Sequence, residues 1–213
     1  RLSKTSKFLK IVVSQNKLYQ IFTNCLNKSQ NNTELYENII KTDNLIIYNE
    51  FQQKIENVFS VQKIFELCCM HGSIEIAKML NKNKLIDIPD ETYDAYKIAC
   101  SFGQLDIVLW INKLCIEKHN TIFASPVADG FVECCTNGHL EIAKMLQTEC
   151  KFMLHVTRHG FEVGVANGHL NICQWLYDNK LVRQHEDMHS MFVVACKKGY
   201  IDILAGTSRG IRI

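Results

Sequence analysis

Cysteine and histidine carry most of the chemistry this sequence could do. The chain holds ten cysteines and eight histidines among 213 residues. They gather in two places, Cys68, Cys69 and His71 in one and Cys134, Cys135 and His139 in the other. Thiolate and imidazole are zinc ligands, and a structural site takes four of them while a catalytic site takes three plus water. His155 with His159, and His185 with His189, have the spacing that sets two imidazoles on one helical face. Against zinc, no CxxC pair occurs anywhere, and cysteine-rich zinc sites usually draw on such pairs. Nor is there a P-loop or a GxGxxG string to cradle a phosphate. Gly160, Gly164 and Gly168 mimic the GxxxG of packed membrane helices, yet they lie outside any apolar stretch of ~20 residues.

The elements that must position these residues are written in an internal repeat. Five segments align without gaps around a glycine: ELCCMHGSIEIAKML, KIACSFGQLDIVLWI, VECCTNGHLEIAKML, EVGVANGHLNICQWL and VVACKKGYIDILAGT. The glycines are Gly72, Gly103, Gly138, Gly168 and Gly199, at separations of 31, 35, 30 and 31 residues. Seven positions earlier stands an aromatic each time: Phe65, Tyr96, Phe131, Phe161 and Phe192. Four positions later stands an isoleucine: Ile76, Ile107, Ile142, Ile172 and Ile203.

One unit reads as helix, tight turn, helix. Apolar or small residues at seven, four and three positions before the glycine share one helical face. The glycine then ends that helix in a left-handed conformation that a Cβ would make costly. Glu75, Asp106, Glu141, Asn171 and Asp202 follow three places later, in the first turn of the second helix, where free N–H groups favour negative charge. Two short helices cannot bury their apolar faces alone, so the units are expected to stack.

A period near 33 residues, with the phrases NGHLEIAKML and NGHLNICQWL, resembles ankyrin repeats. The likeness is closest to the ankyrin-repeat sets of giant amoeba-infecting DNA viruses, and it covers roughly Val61 to Leu204. It departs from the family pattern at T-P-L-H, where Lys97, Val132, Glu162 and Val193 replace the histidine. The resemblance implies an all-α ankyrin-repeat solenoid that binds a protein partner on its concave face without catalysis, and a role in virus–host interaction. It further implies that the two residues before each glycine face the partner: Met70 and His71, Ser101 and Phe102, Thr136 and Asn137, Ala166 and Asn167, Lys197 and Lys198. These pairs vary between units while the buried columns repeat.

The repeat also gives the cysteines a second reading. Cys68, Cys69, Cys100, Cys134, Cys135 and Cys196 fall in the two columns where ankyrin units carry alanine, and Cys173 falls in another small-residue column. A free cysteine behaves as a compact hydrophobe. Stacked helices stand ~8–10 Å apart, too far for a disulfide between column neighbours. The thiols are therefore expected to be buried and reduced, in a cytoplasmic or nuclear compartment. Both HxxxH pairs are placed ahead of a first helix, offset by one residue. No catalytic, cofactor or metal residue is assigned.

Residues 33–60 fit the same columns as a degenerate repeat or cap if Asp43 stands at the glycine position. Residues 1–32 carry six basic side chains and no acidic one. They read as basic capping helices, with a tether to a membrane surface or nucleic acid as the alternative. The chain opens on Arg1 without an apolar leader, and AGTSRGIRI breaks the fifth unit, so residues 205–213 are expected to be an irregular, truncated tail. An apolar fraction of 47% and a net charge of +2 exclude wholesale disorder and give no argument for a nucleic-acid partner. No run approaches the ~18 apolar residues of a membrane span. The expectation is a monomer with five repeats over 61–204 and no membrane span.

Overall fold

A computed structural model describes residues 32–86, 93–119 and 124–183, with Lys17, Gln20 and Val193 as single residues. Apart from those three residues, residues 1–31, the fifth repeat and the tail lie outside the described residues. Two compact units emerge, Arg1–Ile86 and Asp87–Ile213. Among the described residues there are ten helices and no strand, so the class is all-α.

The first unit holds α1 (Thr33–Lys41), α2 (Leu45–Glu56), α3 (Val61–His71) and α4 (Ile74–Lys82). Two of them, α2 and α3, start where the N-cap side chain satisfies free N–H groups. Asn44 Oδ1 accepts from Ile46 N and Ile47 N at 3.0 and 3.2 Å, and Ser60 Oγ accepts from Lys63 N at 3.1 Å. α1 buries Tyr36, Ile39 and Ile40, and α3 buries Ile64, Phe65, Leu67, Cys68 and Cys69. α1 packs on α3, and α2 and α3 both pack on α4.

The second unit holds α5 (Tyr93–Ser101), α6 (Leu105–His119), α7 (Ala124–Asn137), α8 (Leu140–Cys150), α9 (Leu154–Asn167) and α10 (Leu170–Asp178). Its first helices lie side by side, α5 on α7 and α7 on α9. Each also packs on the helix that follows it. Pro126 costs α7 little, because it stands in the first turn, where its missing N–H has no partner to lose.

Four glycines end a first helix with the same geometry. Gly72, Gly103, Gly138 and Gly168 have φ of 78°, 72°, 85° and 81°. The next residue's N–H closes back on the carbonyl five residues earlier: Ser73 to Cys68 at 3.0 Å, and Gln104 to Ala99, His139 to Cys134 and His169 to Gly164, each at 2.9 Å. That six-to-one bond is the Schellman closure, and it requires a left-handed residue at the turn. Asp43, in the aligned position between α1 and α2, has φ 50°. Its carboxylate reaches across to α4 and accepts from Glu75 N and Ile76 N, the closest contacts being 3.0 Å, as a remote cap for the first turn of that helix.

Candidate functional site

The cysteines form packing columns. Cys68, Cys69, Cys100, Cys115, Cys134, Cys135 and Cys173 are buried free thiols, and Cys150 is half-buried. Cys134 Sγ donates to Cys100 O at 3.6 Å. That thiol is held far up by its contact with Cys100 and then by burial. Burial pushes Cys68, Cys69 and Cys135 up and takes Cys173 to about 12. A thiol that is both inaccessible and protonated is a poor nucleophile. Native labelling with a thiol reagent, read peptide by peptide, should therefore modify Cys150 at least about tenfold faster than the seven buried cysteines. Rapid modification of Cys68, Cys100 and Cys134 would sink this reading. Cys134→Ala should cost only about 1 kcal/mol, the loss of one sulfur from a small-residue column.

No group of three or more His, Cys, Asp or Glu that could hold a metal occurs among the described residues. His155 and His159 lie within α9, not ahead of it, because the helix begins a full turn earlier than the glycine spacing suggests. Both are exposed. His159 Nδ1 lies 3.8 Å from Glu162 Oε2, and Arg158 Nε donates to Glu162 Oε1 at 3.0 Å. His185 and His189 fall outside the described residues. They enclose Glu186, which makes this the H-E-x-x-H order of zinc proteases, a pattern that needs a third ligand to become a site. Gly206 to Gly210 likewise spells G-x-S-x-G outside the described residues, a string that works only between a strand and a helix.

The histidine after the turn has a structural task that the spacing alone did not reveal. His139 Nε2 donates to Ser101 O at 2.8 Å, and His169 Nε2 donates to Thr136 O at 2.9 Å. A carbonyl only accepts, so Nε2 carries the proton in both rings. Each ring lies over the preceding unit's glycine: a Cβ on Gly103 would stand 2.5 Å from His139 Nδ1, and one on Gly138 would stand 2.6 Å from His169 Nδ1. In the first unit Ser73, at the same position, donates its hydroxyl to Ile40 O at 2.8 Å. The clue was the G-H pair at Gly138-His139 and Gly168-His169.

The ten residues expected to face a partner are distributed as follows. Met70 and His71 belong to the first unit, both half-buried, and His71 Nε2 meets Glu37 Oε1 at 3.0 Å. In the second unit Ser101 and Thr136 are half-buried, and their carbonyls receive the two histidines. Asn137 and Asn167 are exposed, with Nδ2 folded back onto Glu133 O at 3.0 Å and Val163 O at 2.8 Å. Ala166 is half-buried. Phe102 stands 50% exposed at the end of α5. Lys197 and Lys198 lie outside the described residues. Six of the ten are thus brought onto neighbouring helix ends of the second unit.

α5 and α7 are joined along their outer side by a polar ladder. Tyr93 OH donates to Asp129, Lys97 Nζ lies 3.9 Å from Glu133 Oε1, and Asn137 Nδ2 donates to Ser101 Oγ at 3.2 Å. Each rung spans 36 residues, and successive rungs step four residues along both helices, which is one helical face meeting another. The sequence shows these residues, but the glycines of the two units are 35 apart, and the one-residue difference hides the register. No protein family, curated protein or solved structure matches the chain. Among the described residues, no helix is long and apolar enough to cross a membrane.

Proposed function

We propose that the chain is a non-catalytic, ankyrin-type protein-interaction module, and that the helix ends before the turn glycines contact the partner. The observation that carries this reading is Phe102, half exposed at a turn that is otherwise built on one plan in four copies. The plan uses the glycine, the isoleucine four places later and the aromatic seven places earlier, whose described side chains in the repeats are all buried. The residues just before the glycine are released from that constraint, and one of them is a large aromatic in water. An exposed aromatic anchors interfaces, because it buries much area at little rotamer cost. The virus–host role and the cytoplasmic location belong to the same proposal and rest on the repeat phrases alone.

Phe102→Ala is expected to weaken partner binding by about 1–2 kcal/mol, roughly tenfold, and to leave the denaturation midpoint nearly unchanged. Affinity capture from the native host, repeated with the variant, identifies the partner as the protein lost with Phe102. Unfolding of the variant with affinity intact would make Phe102 a structural residue and move the binding face elsewhere.

A further inference from the structure

We infer that the outer ridge of α5, α7 and α9 recognises a cationic, apolar-bearing segment of a partner protein; the inference rests on the binding-module reading and names the partner's chemistry. The ridge carries Asp94 and Lys97 on α5, Asp129 and Glu133 on α7, and Arg158 and Glu162 on α9, all exposed or half-buried. Both cations are already matched, Lys97 with Glu133 and Arg158 with Glu162. Two carboxylates remain without a counter-charge among these residues. Asp129 accepts from the neutral Tyr93 hydroxyl, and Asp94 sits beside Tyr93 with no partner among the described residues. One turn further along α5 stands half-buried Ile98, and exposed Phe102 follows the helix's last residue. Negative charge at one end of the ridge and an apolar anchor at the other complement a ligand with the opposite order.

The spacing sets the ligand's geometry. Asp94 and Phe102 are eight residues apart, about 12 Å at the rise of a helix. An extended peptide covers that distance in about four residues. The expected motif is therefore a Leu, Ile, Phe, Met or Trp set about four residues from one or two Lys or Arg in an extended segment. The cationic end should sit across Asp94 and Asp129, where charge-assisted hydrogen bonds are open.

Selection of phage-displayed random peptides, about 12 residues long, on the full chain tests this. Recovered peptides should carry the cation–apolar pattern and lose at least about tenfold affinity against Phe102→Ala and against the pair Asp94→Asn with Asp129→Asn. The amide oxygen that Asp129→Asn introduces would still accept the Tyr93 hydroxyl, and an unchanged midpoint confirms that folding is intact. Glu141→Gln, at an exposed position of α8, should change nothing, which separates the ridge from general attraction of cations. Neutral or acidic peptides that still depend on Phe102 would overturn the chemistry and leave the binding module standing. Peptides indifferent to both variants, or none recovered, would overturn both. Carbodiimide coupling of the chain by itself that joins Lys4, Lys7 or Lys10 to Asp94 would make the chain's own basic segment the occupant and overturn the partner.

Discussion

Gly138→Val should cost about 3 kcal/mol and lower the thermal midpoint by about 6–12 °C. Two independent effects add at this position. The backbone there is left-handed, at φ 85°, where a β-branched side chain loses about 1–2 kcal/mol. Any Cβ also lands 2.6 Å from Nδ1 and 2.8 Å from Cε1 of His169. That ring cannot swing aside without breaking the bond from its Nε2 to Thr136 O, and forcing it aside costs a further ~1–3 kcal/mol. Gly138→Asn separates the two effects, because asparagine tolerates the left-handed region. Its cost should fall when His169 is also replaced by alanine. Equal costs for Asn and Val in urea denaturation would mean that the backbone contributes little and the ring contact nearly everything.

The sequence made the turns legible because each is a local event. A left-handed residue, a carboxylate or amide in the next first turn and an isoleucine one step on are set within a few positions, and Gly72, Gly103, Gly138 and Gly168 each show the φ their spacing predicts. Burial of Cys68 and Cys134 was legible for a related reason: a column that accepts Ala99 has room for a small apolar atom and little else. Contacts between successive repeats of the second unit were not legible. His169 meets Thr136 and Tyr93 meets Asp129 at separations of 33 and 36 residues, and these registers depend on how the helices stack rather than on any local preference. Helix starts were obscured too. α9 begins at Leu154 without a side-chain cap, so nothing in the sequence marks where His155 enters the helix.

The chemistry-bearing residues therefore divide by how far their partners lie. Thiols and turn histidines that could have been read as ligands spend their donors on the repeat itself, as Cys134 does on Cys100 O and His139 on Ser101 O. On the outer ridge Lys97 and Arg158 are spent on Glu133 and Glu162, whereas Asp94 and Phe102 stay exposed, because stacking fixes their backbone without consuming their side chains.

The second large effect should come from Gly160, where a missing side chain is filled by a neighbouring unit. A Cβ there would stand 2.7 Å from Phe131 Cε1 and 2.9 Å from Cys135 Sγ, so α9 approaches α7 as closely as a glycine allows. The same device recurs one unit earlier, where a Cβ on Gly130 would stand 2.8 Å from Tyr96 Cε1 and from Cys100 Sγ. Phe131 is fully buried, with its ring 4.9 Å from that of Phe152. Phe131→Ala should cost about 3–5 kcal/mol through the void it leaves. Gly160→Leu should cost about 2–3 kcal/mol, because overpacking outweighs the helix propensity gained on losing a glycine, at most about 1 kcal/mol. The pair made together decides between a shared contact and two separate defects. If the ring of Phe131 occupies the space beside Gly160, the new leucine enters the void left by Phe131→Ala, and the double variant is more stable than the sum of the singles by about 1–3 kcal/mol. Urea midpoints at constant m-value read this directly. Strict additivity would mean that the two helices move apart to admit the leucine, and that close approach at Gly160 does not hold α9 against α7.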